Sequence, residues 1–231
     1  MWYNKNMEKI FEKYGLRLNS EQLEKFEKYY SLLVEYNQKF NITAITEREE
    51  IITKHFVDSI LNVDKLNGKL LDVGSGGGFP ALPLKIVNEN LSVSLVESTG
   101  KKCDFLREVV KNLCLENVDI FCERAEELSR KENFREKYDI VSARAVARLN
   151  TLAEYCLPFI KVGGKFIAFK GDYQEELKEA ENAIKILGGR VEKVEEFTLD
   201  GAKRGIIYIE KIKSTPEKYP RGRGKERKCP L

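Results

Sequence analysis

"KLLDVGSGGGFPALPLKI", residues 69–86, sets four glycines within five positions directly after a short apolar run. The run reads as a strand, the glycines as a turn, and the apolar residues from Phe79 onward as the start of a helix. Pro80 suits the first helical turn, where a missing N–H is no loss. Pro83 is tolerable only if that same turn still contains it. In an open parallel sheet such a unit lies at the carboxyl ends of the central strands, where ligands bind. Glycines let a ligand approach the backbone, and the helix start offers free N–H groups. The bland reading is a tight turn and no more.

Outward from the loop the same strand character recurs. "SVSLVE", "VDIFC", "YDIVSA", "KFIAFKG" and "RGIIYIEKI" are short and rich in Val, Ile, Leu and Phe, as strands buried on both faces should be. "VEKVEEFTL" alternates more and fits a position nearer an edge. Helical stretches separate the earlier strands. "KKCDFLREVVKNLCL" puts Phe105, Val109 and Leu113 at four-residue steps, and "YQEELKEAENAIKILGG" ends in a glycine pair. This alternation predicts an α/β fold, a doubly wound and mostly parallel sheet with helices on both faces. No long helix separates the strands near 191–199 and 205–212, so they should form an antiparallel hairpin.

The first 65 residues read as a helical extension. Leu23, Phe26, Tyr30 and Leu33 form one apolar stripe, with Asn19 or Ser20 as the cap. "TEREEIITKHFVDSI" opens with Thr46-x-x-Glu49, a capping-box pattern, and continues with Ile52, Phe56 and Ile60. Three parts result: a helical extension over 1–65, a sheet domain over 66–213 and a basic tail over 214–231.

Composition narrows the classes. A hydrophobic content of 42% supports a real core. No run approaches the ~18 to 20 apolar residues of a membrane helix. The N-terminus lacks the apolar core of a signal peptide, so a cytoplasmic protein is expected. The five cysteines are unpaired in spacing and there is one histidine, which supports neither zinc nor a disulfide framework. Six of the 40 basic and two of the 37 acidic residues fall in 214–231, so the tail carries +4 and the remainder −1. Its Pro, Gly and charge content argues against a packed element. It is either a phosphate-binding arm or a solvated terminus.

The loop itself is a near miss for the dinucleotide fingerprint G-x-G-x-x-G: Gly74 and Gly76 fit, but Phe79 stands where the last glycine belongs. No Gly-Lys-Ser/Thr follows, so it is not a P-loop. Glu97, 23 positions after Gly74, closes the next strand and could accept two hydrogen bonds from a ribose diol. Asp72 adds a polar group under the loop. A nicotinamide-dependent oxidoreductase suffers from the broken fingerprint and has no obvious substrate domain.

Asp-x-Gly-x-Gly-x-Gly with an acid closing the following strand resembles the class I S-adenosylmethionine-dependent methyltransferases, over about Lys69 to Lys213. The resemblance implies a Rossmann-like methyltransferase sheet. It implies S-adenosylmethionine as cofactor, held by Asp72, Gly74, Gly76, Phe79, Glu97 and Arg144. Ala125 and Glu126, in "CERAEEL" after the third strand, would flank the adenine with a backbone N–H toward a ring nitrogen. "NITAIT…HFVDSI", "DVGSGGGFPALPLKI", "YDIVSARAVARL", "FIAFKG" and "KYPRGRGK…PL" together resemble one bacterial family. It is the ribosomal RNA small-subunit methyltransferase G family, also called glucose-inhibited division protein B. The family implies methylation of a guanine N7 in 16S rRNA, free or in the small ribosomal subunit. A monomer that uses no metal and meets no membrane is expected. Glu97 departs from the aspartate common at its position.

What the chain lacks agrees. It has no N/D-P-P-Y/F motif of exocyclic-amine methylases after the fourth strand, and no cysteine there for pyrimidine C5 chemistry. Guanine N7 carries an in-plane lone pair and no proton, so attack on a methyl group needs positioning rather than a general base. Arg144 is the residue expected at the methyl-transfer position, or else a partner of a nearby carboxylate. Lys101, Arg124, Arg148, Lys170 and Arg204 are candidates to face RNA. Arg148 is equally a surface charge, and Lys101 with Lys102 equally a solvated pair at a helix start. His55, three residues before Asp58, is expected to form a structural His55–Asp58 link. A non-catalytic RNA-binding or ribosome-assembly factor on the same fold is the competing reading.

Overall fold

The apolar runs become seven strands of one sheet in the computed structural model, which describes residues 2–231. In chain order they are β1 (Lys69–Val73), β2 (Ser92–Val96), β3 (Val118–Phe121), β4 (Tyr138–Arg144), β5 (Ile160–Lys170), β6 (Gly189–Leu199) and β7 (Ala202–Lys211). Their spatial order is β3-β2-β1-β4-β5-β7-β6. The pairs from β3 to β5 are parallel, and β7 runs antiparallel to both β5 and β6. The expected hairpin is therefore present, and the alternating strand β6 takes the edge. Strand order reverses at β1, between β2 and β4. That reversal opens a crevice beyond the carboxyl ends of β1 and β4.

Helices cover both faces. The N-terminal ones are α1 (Trp2–Lys13), α2 (Ser20–Lys39), α3 (Arg48–Ile51), a π-helical turn (Ile52–Val57) and α4 (Asp58–Ile60). Along the sheet follow α5 (Ala81–Val87), α6 (Gly100–Asn112), α7 (Ala125–Leu128), α8 (Leu149–Cys156) and α9 (Gln174–Ile186), with α10 (Lys225–Lys228) in the tail. One apolar layer joins Phe11, Phe26, Tyr29 and Phe56 to Leu82 and Phe105. The other joins Leu152 and Phe159 to Ile184 and Tyr219. Pro83 is the third residue of α5, within its first turn, although that helix starts at Ala81 rather than Phe79.

Several local expectations are corrected. Asn19 caps α2 in a capping box with Gln22, but no box forms at Thr46. Glu47 occupies the N-cap of α3 and makes no side-chain cap bond, which leaves Thr46 one residue out of register. The stripe of α2 buries Tyr29 and leaves Tyr30 half-buried, because Tyr29 O–H finds the Gly77 carbonyl. β5 starts at Ile160, five residues before the "KFIAFKG" run.

The tail is packed, against the expectation from its composition. Glu154 is buried on α8 and accepts hydrogen bonds from the Arg221 backbone N–H, Nε (3.0 Å) and guanidinium NH2 (2.7 Å). Arg135 donates to the carbonyls of Thr215, Pro216 and Tyr219. A buried carboxylate demands a cation, and the tail supplies it. Composition gives no hint of such a partner. Among the described residues no helix is long and apolar enough to cross a membrane.

Candidate active site

The glycine turn leaves β1 with Gly74, Gly76 and Gly78 all at positive φ. The Gly74 and Ser75 N–H groups donate to the Val96 carbonyl at 2.8 and 3.1 Å, which ties the turn to the end of β2. A Cβ at Gly74 would stand 2.6 Å from Val146 Cγ2, so that position admits only glycine without a shift. At Gly76 a Cβ would meet nothing nearer than the Gly74 carbonyl oxygen at 3.8 Å. The space there is open to a ligand.

Two carboxylates brace the turn. Glu97 is buried, and its Oε2 accepts from the Gly76 N–H at 3.0 Å while Oε1 accepts from the Thr99 N–H at 2.8 Å. Each oxygen retains a further lone pair for a hydroxyl donor. Asp72 pairs in register with Ser142 of β4, whose Oγ donates to Asp72 Oδ1 at 2.6 Å. Asp72 Oδ2 is buried without a hydrogen-bond partner. Burial is the main cause that pushes this carboxyl up to about 7.

The N-terminal helices grip the turn through Phe79. Its ring stacks on Tyr29 (centroids 5.4 Å apart) on one contact and on His55 (4.6 Å) on the other, and the Arg144 guanidinium carbon stands 5.1 Å from its centroid. The residue that breaks the fingerprint is thus the one the extension packs against. Arg144, at the end of β4, donates to Asp58 Oδ2 (3.0 Å), the Lys54 carbonyl (3.1 Å) and His55 Nδ1 (3.3 Å). A guanidinium only donates. Nδ1 therefore accepts, and Nε2 carries the hydrogen given to Thr43 Oγ1 at 2.7 Å. Burial, then the charge of Arg144, lower His55 to about 3, so the ring is neutral.

The expected His55–Asp58 link is corrected by these contacts. Both residues bind Arg144, and Asp58 Oδ1 accepts from Arg204 Nε at 3.1 Å. The two side chains meet through the Arg144 guanidinium, which donates to His55 Nδ1 and to Asp58 Oδ2, and not through a direct bond.

Beside the ends of β4 and β5 lies a cavity of about 590 Å³, walled in part by Asp58, Arg144, Lys170, Glu176, Phe197 and Arg204. It does not reach Gly74, Gly76, Glu97, Ala125 or Glu126, which lie over the β1–β3 side. Ala125 and Glu126 begin α7, where the first N–H groups have no helical acceptor. Arg144 and Asp72 interact electrostatically, so they join the two halves. Of the RNA candidates, Lys170 donates to the Ala147 carbonyl and to Glu176, Arg204 is held by Asp58, and Arg148 pairs with Glu179 at the surface. Arg124 is exposed, 3.8 Å from Glu126, and Lys101 is exposed with its ammonium 4.8 Å from the Phe40 ring centroid. Tyr29, Thr43 and Glu176 were not legible as site residues. Tyr29 hides in a helix stripe, and the other two are ordinary polar positions until the chain folds. Among the described residues no three His, Cys, Asp or Glu side chains gather into a metal site.

Comparison with known proteins gives a consistent set of likenesses. A family described as rRNA small subunit methyltransferase G matches residues 22–207. The Ribosomal RNA small subunit methyltransferase G of Lactobacillus johnsonii is 48% identical over 232 residues, covering 96% of this chain and 97% of that one. The protein of the same name from Lachnoclostridium phytofermentans is 50% identical over 224 residues, covering 94% and 93%. Among solved structures, M. jannaschii TYW2 in complex with AdoMet aligns with a TM-score of 0.57 at 16% identity, over 73% of this chain and 80% of that one. At that identity the likeness concerns the fold alone.

Proposed function

The chain belongs to the rRNA small subunit methyltransferase G family, whose activity is S-adenosylmethionine-dependent methylation of rRNA, and we propose that its target is N7 of one guanine in 16S rRNA. The residues under the glycine turn suit this cofactor, which when bound supplies an electrophilic methyl group on a cationic sulfur. Asp72 Oδ2, buried and unpartnered, is a negative site that gains a partner when a cation enters. The open position at Gly76 lets a ligand reach the backbone. Glu97 would accept from the ribose hydroxyls, Ala125 and Glu126 would offer an N–H to the adenine, and Gly74 and Phe79 would hold the turn in shape. Arg144 would position the reacting base, itself fixed by Asp58, Lys54 and His55.

The observation that carries the N7 reading is the state of His55. The only imidazole in the chain is neutral and engaged through both nitrogens. Both oxygens of Asp58 are taken by arginines. Cys156 is fully buried, and burial raises its thiol well above the usual range, so it offers no thiolate. A wall without a poised imidazole or thiolate suits a nucleophile that has no proton to lose. Lys101, Arg124 and Arg148 at the surface, with Lys170 and Arg204 on the cavity wall, are the side chains proposed to meet RNA. The protein is proposed to act as a cytoplasmic monomer on free 16S rRNA or on the small subunit.

The test is to incubate 16S rRNA, naked and in 30S particles, with labelled cofactor and map the product by mass. One methyl group on one guanine is expected. Replacing that guanine by 7-deazaguanine should abolish transfer. No transfer to either substrate would leave a non-catalytic RNA-binding factor as the better account.

A further inference from the structure

We propose that the cavity beside β4 and β5 reads the target base, with Glu176 Oε1 accepting the N1–H and an N2–H of guanine and Phe197 offering a stacking face; this deepens the N7 reading and rests on it. The wall carries two carboxylates, Asp58 and Glu176. Asp58 spends one oxygen on Arg144 and the other on Arg204. Glu176 Oε2 accepts both the Lys170 ammonium at 2.6 Å and the Leu149 N–H at 2.9 Å, which fills its two lone pairs. Glu176 Oε1 has no protein partner among the described residues. Three of the four carboxylate oxygens are thus committed, and one is open.

The rest of the wall defines the ligand. Lys54, Arg144, Lys170 and Arg204 make it net cationic, which suits a nucleotide. A carboxylate oxygen repels a phosphate, so in this setting it must meet hydrogen-bond donors. Adenine and cytosine present a lone pair at the corresponding ring nitrogen, and uracil presents a single N–H. Guanine alone sets two donors side by side, N1–H and N2–H. N7 lies on the far edge of the purine, so gripping the Watson–Crick edge leaves it free to react. On transfer the base gains a methyl group at N7 and a positive charge, and it keeps its N1 proton. A fixed carboxylate at N1–H favours that charged product and the transition state leading to it. Phe197 is half-buried on the edge strand β6 and faces the cavity, as a base drawn out of its stack requires. Lys170 is nearly enclosed and holds the Glu176 side chain in place.

The experiment uses 16S rRNA carrying guanosine, inosine, adenosine or 7-deazaguanosine at the methylated position. With the wild-type enzyme, inosine, which lacks the 2-amino group, should lower kcat/KM about tenfold and adenosine about a thousandfold. Glu176→Gln should lower the guanosine value about a hundredfold and bring the guanosine-to-inosine ratio close to one, with cofactor Kd unchanged. Phe197→Ala, which leaves Glu176 intact, should raise KM for RNA and keep the guanosine-to-inosine ratio. Equal wild-type rates on guanosine, inosine and adenosine would overturn the proposal, as would a Glu176→Gln loss that is the same on all three. The wild-type ranking decides even if Glu176→Gln fails to fold. Transfer to 7-deazaguanosine would instead refute the N7 reading and leave the base preference separately measured.

Discussion

Asp72 and Glu154 are both buried carboxylates, one under the glycine turn and one under the tail, and they are finished to different degrees. Glu154 is saturated by Arg221, which bonds it through backbone and guanidinium together. Asp72 has a neutral hydroxyl on one oxygen and nothing on the other. The first is complete when the chain has folded. The second keeps one oxygen without a partner, which the proposed function assigns to a ligand. An unpartnered atom is not by itself a site, since Glu226 Oε2 in the tail is also unpartnered. Asp72 differs because the open Gly76 position and Arg144 lie with it at the reversal of strand order.

The contrast predicts opposite phenotypes. Asp72→Asn should weaken S-adenosylmethionine binding by about 2–5 kcal/mol, the usual loss when one member of a buried charge pair is removed. Its melting temperature should stay level or rise, because a strained buried acid has gone. Titration calorimetry and a thermal melt check both halves, and a large fall in stability would break the contrast. Glu154→Ala should do the reverse. It should lose about 2–3 kcal/mol in a urea titration, at or below the low end for broken buried pairs because Arg221 can still reach water, and keep its cofactor affinity.

A third effect is set by pH. The Asp72 carboxyl stands at about 7 in the folded protein, above its unfolded value, so the folded state holds the extra proton. Its contribution to stability is therefore full below about pH 4 and is lost as pH rises through 7. Binding a cation favours the ionised form. Cofactor affinity should rise about tenfold between pH 6 and pH 8, with release of about one proton below pH 7. Calorimetry in buffers of different ionisation enthalpy measures this, and Asp72→Asn should flatten the profile. The smallest effect is at the grip on the turn. Tyr29→Phe removes the hydrogen bond to the Gly77 carbonyl and should cost about 1 kcal/mol of stability. Cofactor affinity should fall only a few-fold, and an unchanged urea midpoint would show that stacking on Phe79 holds the turn alone.

Legibility followed the range of the interactions. Strand runs, the glycine turn, the hairpin and the Asn19 cap depend on neighbours in sequence, and those were readable. Asp72, Gly74 and Glu97 were readable as candidates because a strand end and a turn place them. The π turn was not, because Ile52, Phe56 and Ile60 stay on the buried side whether the coil is α or π. The spacing of His55 and Asp58 suggested a direct bond, whereas the Arg144 guanidinium, 86 and more positions away in sequence, stands between them.

The sequence by itself determined the fold class, the place of the glycine turn and the family, since periodicity, glycine spacing and motif combination are properties of the chain. Only the tertiary structure decided that Arg144 is shared among Asp58, His55 and Lys54, that the basic tail is docked by a buried glutamate, and that Glu176 on the cavity wall keeps one oxygen without a partner among the described residues. Those facts rest on hydrogen bonds between residues up to 90 positions apart, and even the short-range Lys170–Glu176 bond joins two different elements, β5 and α9. Which donor fills which lone pair is settled when the helices close on the sheet, and no local pattern encodes it.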